Sequence, residues 1–144
     1  MHDFNSYSEE ETIEFAKEYA STLDKNKIIL LCGDLGSGKT KFVQGVLRFF
    51  NLEDEISSPT FTIVNEYIND NISIYHFDLY RLEDIDEFYA IGGEEYFSKG
   101  ICIFEWGELI EPLLKDYNYT KIIFTKDSDN PDYRNLRIEE IKNS

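Results

Sequence analysis

At 144 residues, 42% of them hydrophobic and 15% aromatic, the chain suits one packed domain over 1–144, and no apolar run approaches the roughly 20 residues of a membrane span. Its 29 acidic residues against 14 basic give a formal charge of −15, which disfavours direct contact with free nucleic acid and leaves any role on nucleic acid to be exercised through a partner. The acidic opening, MHDFNSYSEEE, has no apolar stretch of the kind a secretory leader needs, so the expected setting is cytoplasmic, with no membrane partner.

In chain order, Ser8 followed by three glutamates to Glu11 makes a capping box, and Ile13, Ala16, Ala20 and Leu23 mark the apolar face of the helix behind it. KIILLC over 27–32 is a short apolar strand. After a glycine-rich loop, Phe42, Val43, Val46, Leu47 and Phe50 fall at helical spacing. ISSPTFTIVNEYI begins as a Ser/Pro loop and turns into a strand, and the Asn-Asp-Asn turn at 69–71 pairs it with ISIYHFDLY. A short acidic helix over 83–91, the strand GICIFEW over 100–106, a short helix at ELIEPLL, and two late strands separated by SDNPD complete the chain. Strands alternating with helices predict an α/β domain whose mixed central sheet is mostly parallel and flanked by helices. Cys32 and Cys102 each sit inside an apolar run and read as small buried hydrophobes, not as a metal pair or a disulfide.

Gly33, four intervening residues, Gly38, Lys39 and Thr40 match the phosphate-loop pattern, with a strand before and a helix after. The segment Gly33, Asp34, Leu35, Gly36, Ser37, Gly38, Lys39, Thr40 and Lys41 is therefore the expected nucleotide-binding stretch of a P-loop NTPase-like domain. Its glycines let backbone N–H groups converge, the helix N-terminus adds positive potential, Lys39 reaches the β- and γ-phosphates, and the Thr40 hydroxyl is a Mg2+ ligand. The chain has no Asn-Lys-x-Asp guanine reader in a suitable place and no Asp-x-x-Gly switch at a strand end, so ATP is the expected nucleotide.

A phosphate loop needs a second carboxylate, for Mg2+ or for the attacking water. Ligands of open α/β sheets lie beyond the carboxyl ends of the strands, where two acids end apolar runs: Asp78 ends ISIYHFD and Glu105 ends ICIFE. Alternation puts His76, Asp78 and Tyr80 on one face and Tyr75, Phe77 and Leu79 on the other. The more apolar run of Glu105 reads as the buried central strand and favours Glu105 beside the metal, with Asp78 outside it or positioning water. For either acid the alternative is capping the next helix or pairing with Arg81. Ser57, Ser58, Pro59 and Thr60 form a loop whose threonine could sense the γ-phosphate, or could be an ordinary turn.

Taken together, GDLGSGKT, SSPTFTIVNEY, YHFDLYRL and IFEW resemble, in order and spacing, the TsaE (YjeE-like) family of bacterial tRNA threonylcarbamoyladenosine biosynthesis ATPases, over most of the chain. The phosphate loop alone is shared by many NTPases, whereas the combination with Ser-Pro-Thr, His-x-Asp-x-Tyr-Arg and Glu-Trp is specific. The resemblance implies a small cytoplasmic Mg2+-dependent ATPase serving the modification of the adenosine next to the anticodon. It implies binding to a Gcp-type threonylcarbamoyl transferase subunit and its paralogous companion, with tRNA reached only through that complex and hydrolysis permitting repeated turnover. By the same resemblance Thr40 and Glu105 hold Mg2+, Thr60 is the switch threonine, Asp78 is the acid of the His-x-Asp block, Lys39 serves the phosphates and Thr12 lies near the base. Read without the resemblance, Thr12 is an exposed residue of the first helical turn. Lys41 departs from the small hydroxyl residue common there, and Gly107 from the usual Pro or Ser after Glu-Trp.

Two other readings share the phosphate loop. In a nucleotide-gated interaction module, ATP binding would order the Thr60 loop and hold a partner with negligible hydrolysis. A small-molecule kinase would need a lid with several arginines, and Arg48, Arg81, Arg134 and Arg137 are scattered.

Overall fold

The computed structural model describes residues 2–33, 37–52 and 64–143. The order of elements is β1 (His2–Ser6), α1 (Glu9–Ala20), β2 (Lys27–Cys32), α2 (Lys39–Phe49), β3 (Val64–Ile68), β4 (Ser73–Asp78), α3 (Ile85–Ala90), β5 (Ile101–Glu105), β6 (Tyr119–Asp127) and β7 (Asn130–Ile141). The strands form one sheet in the order β1-β7-β6-β2-β5-β4-β3. The inner strands β6, β2, β5 and β4 run parallel, and antiparallel pairs β1–β7, β6–β7 and β3–β4 finish both sides. The expected single α/β layer with a parallel centre is what forms.

Strand alternation builds a core on each face. Ile29 and Leu31 of β2, Ile101 and Ile103 of β5 and Ile74 of β4 pack with Ala16 of α1 and Phe42 and Val46 of α2. Ile28, Leu30 and Cys32, Cys102 and Phe104, and Tyr75 and Phe77 pack on the other face with Phe88 of α3. Strands covered on both sides read as continuous apolar runs, which is why IILLC and ICIF carry no polar position. Each fully buried Leu, Ile or Phe contributes about 1.5–3 kcal/mol relative to exposure. Both cysteines lie in the second core, and burial, the largest influence on each, pushes both thiols up to about 12.

Local chemistry explains the ends. The Ser8 hydroxyl accepts from Glu11 N–H and the Glu11 carboxylate accepts from Tyr7 N–H, closing the capping box one residue out of its ideal register. Asn69 Oδ1 accepts from the N–H groups of both Asn71 and Ile72, which fixes the β3–β4 turn. The acidic helix is shorter than 83–91, starting at Ile85 behind an Asp84 cap whose carboxylate accepts from Asp86 N–H.

Three expectations change. ELIEPLL forms two 3-10 turns, Gly107–Leu109 and Glu111–Leu113, because Pro112 cannot donate inside a continuing helix. The connection expected at SDNPD is shorter: only Ser128 and Asp129 form the turn, where Asp127 accepts from Asp129 N–H, and Asn130–Asp132 already belong to β7. Residues 2–6, read only as an acidic lead, form β1 along the outer side of β7.

Candidate nucleotide site

The carboxyl end of β2 feeds the phosphate loop, and the site is built there. Gly33 and Gly38 take φ of 140° and 103°, angles open to glycine and strained for other residues. A Cβ on Gly33 would also lie 2.6 Å from the Phe124 carbonyl oxygen. Gly38 precedes α2 and brings no side-chain cap, so the first N–H groups of α2 are left to be met by something other than a capping side chain. The Ser37 hydroxyl is buried, with no hydrogen-bond partner among the described residues. An uncapped helix start, two glycines at positive φ and an orphaned buried hydroxyl are features an anionic phosphate chain would satisfy, so the residues present fit a nucleotide.

Lys39, the first residue of α2, is 4% exposed. Its ammonium donates to the Gly33 carbonyl at 2.6 Å and lies 3.5 Å from the centre of the Trp106 ring. Trp106 follows Glu105 and holds a left-handed φ of 63°, which turns its ring from the strand end toward the loop. Tyr80 lies against Trp106 at a ring separation of 5.0 Å.

Thr40 is one residue further into α2, and its hydroxyl donates to Glu105 Oε1 at 3.1 Å. Alternation explains the meeting: Glu105 follows Ile101 and Ile103, so it faces the same side of the sheet as α2. His76 follows Ile74 by two on the neighbouring strand, and its Nε2 lies 2.6 Å from Glu105 Oε2. Burial, the largest influence on Glu105, acts to raise its carboxyl pKa, but the His76 hydrogen bond and charge, the Thr40 hydroxyl and the Lys39 charge together hold it below the usual glutamate range. Among the described residues, no three His, Cys, Asp or Glu side chains gather to enclose a metal. Thr40 and Glu105 are groups that could hold Mg2+, an ion bound by one or two protein groups plus phosphate and water.

Asp78 sits opposite Glu105 in the β4–β5 register and lines the same cavity, of about 290 Å³, with Lys39, Thr40 and Trp106. Its carboxylate accepts from Tyr80 N–H at 3.2 Å and caps the 3-10 turn Leu79–Arg81. The capping alternative raised for this acid is thus met at Asp78, while Glu105 is the acid joined to Thr40. Thr12 is 2% exposed, not a surface residue, and shares a hydrogen bond of 2.7 Å with the Ser6 hydroxyl. It lines a second cavity of about 190 Å³, which shares Gly38 and Lys41 with the first, together with Ser8, Asp132 and Arg134. Lys41 pairs with Glu9 at 3.7 Å. Asp34, Leu35, Gly36 and Thr60 lie outside the described residues, as does the Arg81 side chain.

Sequence reasoning placed His76 on the Asp78 face without giving it a role, and treated Trp106 only as a neighbour of Glu105. The signal for His76 was its parity: a histidine two residues before a strand end, on the face that looks at the phosphate loop. Trp106 had no such signal, because its contact with Lys39 depends on a left-handed backbone turn.

Known proteins resemble this chain in sequence and in fold. The chain is 47% identical over 108 residues to the tRNA threonylcarbamoyladenosine biosynthesis protein TsaE of Rickettsia bellii, covering 74% of this chain and 75% of that protein. It is 34% identical over 116 residues to the protein of the same name from Treponema pallidum, covering 80% and 85%. The crystal structure of Bacillus subtilis YdiB superposes with a TM-score of 0.74 at 31% identity, over 99% of this chain and 86% of that one. The family described as threonylcarbamoyl adenosine biosynthesis protein TsaE matches residues 6–136. With the match running from the end of β1 well into β7, the chain belongs to the TsaE family.

Proposed function

We propose that this protein takes part in tRNA threonylcarbamoyladenosine biosynthesis as a small Mg2+-dependent ATPase subunit. In this reading it binds a Gcp-type threonylcarbamoyl transferase subunit and that subunit's paralogous companion, and acts on tRNA only through them. The observation that carries the reading is the Thr40–Glu105 pair at 3.1 Å beside Lys39, the constellation a phosphate loop needs for Mg-ATP. The names of the relatives supply the pathway.

Each residue has a part. The loop N–H groups and the start of α2 hold the phosphates, and Lys39 leaves the Gly33 carbonyl to meet them as a point charge. Thr40 and Glu105 hold Mg2+ through a hydroxyl and a charged carboxylate oxygen. Mg2+, when bound, neutralises charge on the transferring phosphoryl group. Asp78, which lines the same cavity, would orient water, and the cavity lined by Thr12 would take the base. With a net charge of −15, the protein would repel tRNA while remaining open to protein partners.

The test is Mg-ATP hydrolysis by the chain alone and with the transferase pair, with Lys39→Ala as control. Weak turnover that rises in the complex and vanishes in the variant is expected. Lys39-dependent binding and complex formation with no turnover in either setting would replace the ATPase by a nucleotide-gated module.

A further inference from the structure

We infer that His76 is the positioning residue of the Glu105 carboxylate, holding one oxygen so that the other stays on Thr40. The inference deepens the Mg2+ site proposed above and rests on it.

His76 and Glu105 are 9% and 7% exposed, and their contact of 2.6 Å is slightly shorter than the roughly 2.7–2.9 Å usual for a charge-assisted N–H to carboxylate hydrogen bond. The carboxylate divides its oxygens, Oε2 to His76 on β4 and Oε1 to Thr40 on α2. That division is what fixes it. The last torsion of a glutamate is broad, so one hydrogen bond leaves the carboxylate free to turn about its own axis, whereas two bonds on opposite oxygens set its plane. The neighbouring acid cannot stand in for the histidine, since Asp78 carries no donor in its ionised form. Backbone register supports the placement: β4 and β5 run parallel with His76 opposite Ile103, two residues before Glu105, so the imidazole reaches along the strands to the carboxylate. A histidine serving only to satisfy the core could pair with any acceptor. This one pairs with the side chain that also binds the phosphate-loop threonine. Groups that orient a metal ligand from behind typically contribute 10- to 100-fold to metal affinity or activity.

The test titrates Mg2+ against the complex of a non-hydrolysable ATP analogue, read by Trp106 emission, for wild type, His76→Phe, His76→Gln and His76→Asn. The Phe variant keeps volume and loses the donor. The Gln amide reaches about as far as the imidazole nitrogen, and the Asn amide falls a methylene short. The Mg2+ concentration for half-maximal response should rise at least about 10-fold in the Phe and Asn variants and return most of the way in the Gln variant. Analogue affinity without Mg2+ should stay within about twofold, since His76 touches none of the phosphate-loop groups described. If the Phe variant does not fold by circular dichroism, the Gln–Asn comparison decides alone. Equal Mg2+ responses in Gln and Asn, or an equal loss with and without Mg2+, would overturn the inference. A wild type that binds Mg2+ with the analogue yet never hydrolyses ATP would overturn the ATPase reading and leave this one standing.

Discussion

The ammonium of Lys39 lies 3.5 Å from the centre of the Trp106 ring while donating to the Gly33 carbonyl, so the charge proposed to meet phosphate is held by a π face and a backbone oxygen. A nucleotide must draw Lys39 away from both. A desolvated cation–π contact is worth about 0.5–2 kcal/mol, and its loss counts against binding. Trp106→Leu should therefore bind ATP more tightly, by about 2- to 30-fold, in a calorimetric titration. Unchanged or weaker binding would instead make the ring part of the nucleotide's own contact surface.

Glu105→Gln should separate chemistry from stability. The amide can still accept from Thr40 and still meets His76, but it carries no charge for Mg2+. Turnover should fall at least about 100-fold, while the melting temperature drops by no more than about 5 °C, because the avoided burial of a carboxylate offsets most of the lost charge pairing with His76 and Lys39. Wild-type turnover in this variant would move the metal role to Asp78.

Away from the site, Glu111 accepts from Lys121 at 2.9 Å and from the Tyr119 hydroxyl at 2.7 Å. Burial acts to raise its carboxyl pKa, but these partners outweigh it and leave the net value below the usual range. A lowered folded-state pKa gives stability that is present above the unfolded value, about 4.3, and lost as pH falls through the folded one. Wild type should thus melt higher than Glu111→Gln at pH 7, and the gap should close toward pH 3. A gap of the same size at both pH values would show that the charge contributes nothing.

Gly45 lies where α1 and α2 cross. A Cβ there would come 2.3 Å from the Ile13 carbonyl oxygen and 2.6 Å from Ala16 Cβ. Alanine in a helix interior normally gains about 1 kcal/mol over glycine, and overpacking costs about 1–3 kcal/mol. The obstacle here is backbone, so Gly45→Ala should lose about 1–2 kcal/mol net, read by urea denaturation. Stabilisation would mean that the two helices can part without cost.

Much of this was legible in the sequence. The runs KIILLC and ICIFE, the capping box at Ser8 and the Asn69 turn are local patterns, and local patterns survive folding. The pairing of Thr40 with Glu105, 65 residues apart, was reachable because both follow from strand ends and the loop consensus. The strand β1 was not legible, since HDFNS has no alternation of its own and pairs because β7 presents an edge to it. Nor were the uses of Asp78 and His76 separable: both stand on one face of β4, and the distance to Glu105 alone assigns one to the carboxylate and the other to a backbone N–H.

The sheet order β2-β5-β4-β3 has a consequence for how long the site keeps its shape. Glu105 and the loop stand on β5 and β2, at the centre, but the histidine behind Glu105 stands on β4, one strand from the edge. Outer strands open more often than inner ones, with free energies well below that of global unfolding. When β3 and β4 part from β5, the carboxylate loses one of its two anchors while the rest of the domain stays folded. The lifetime of the assembled site is then set by a five-residue edge strand, and amide exchange along β4 should measure it more directly than any melting curve.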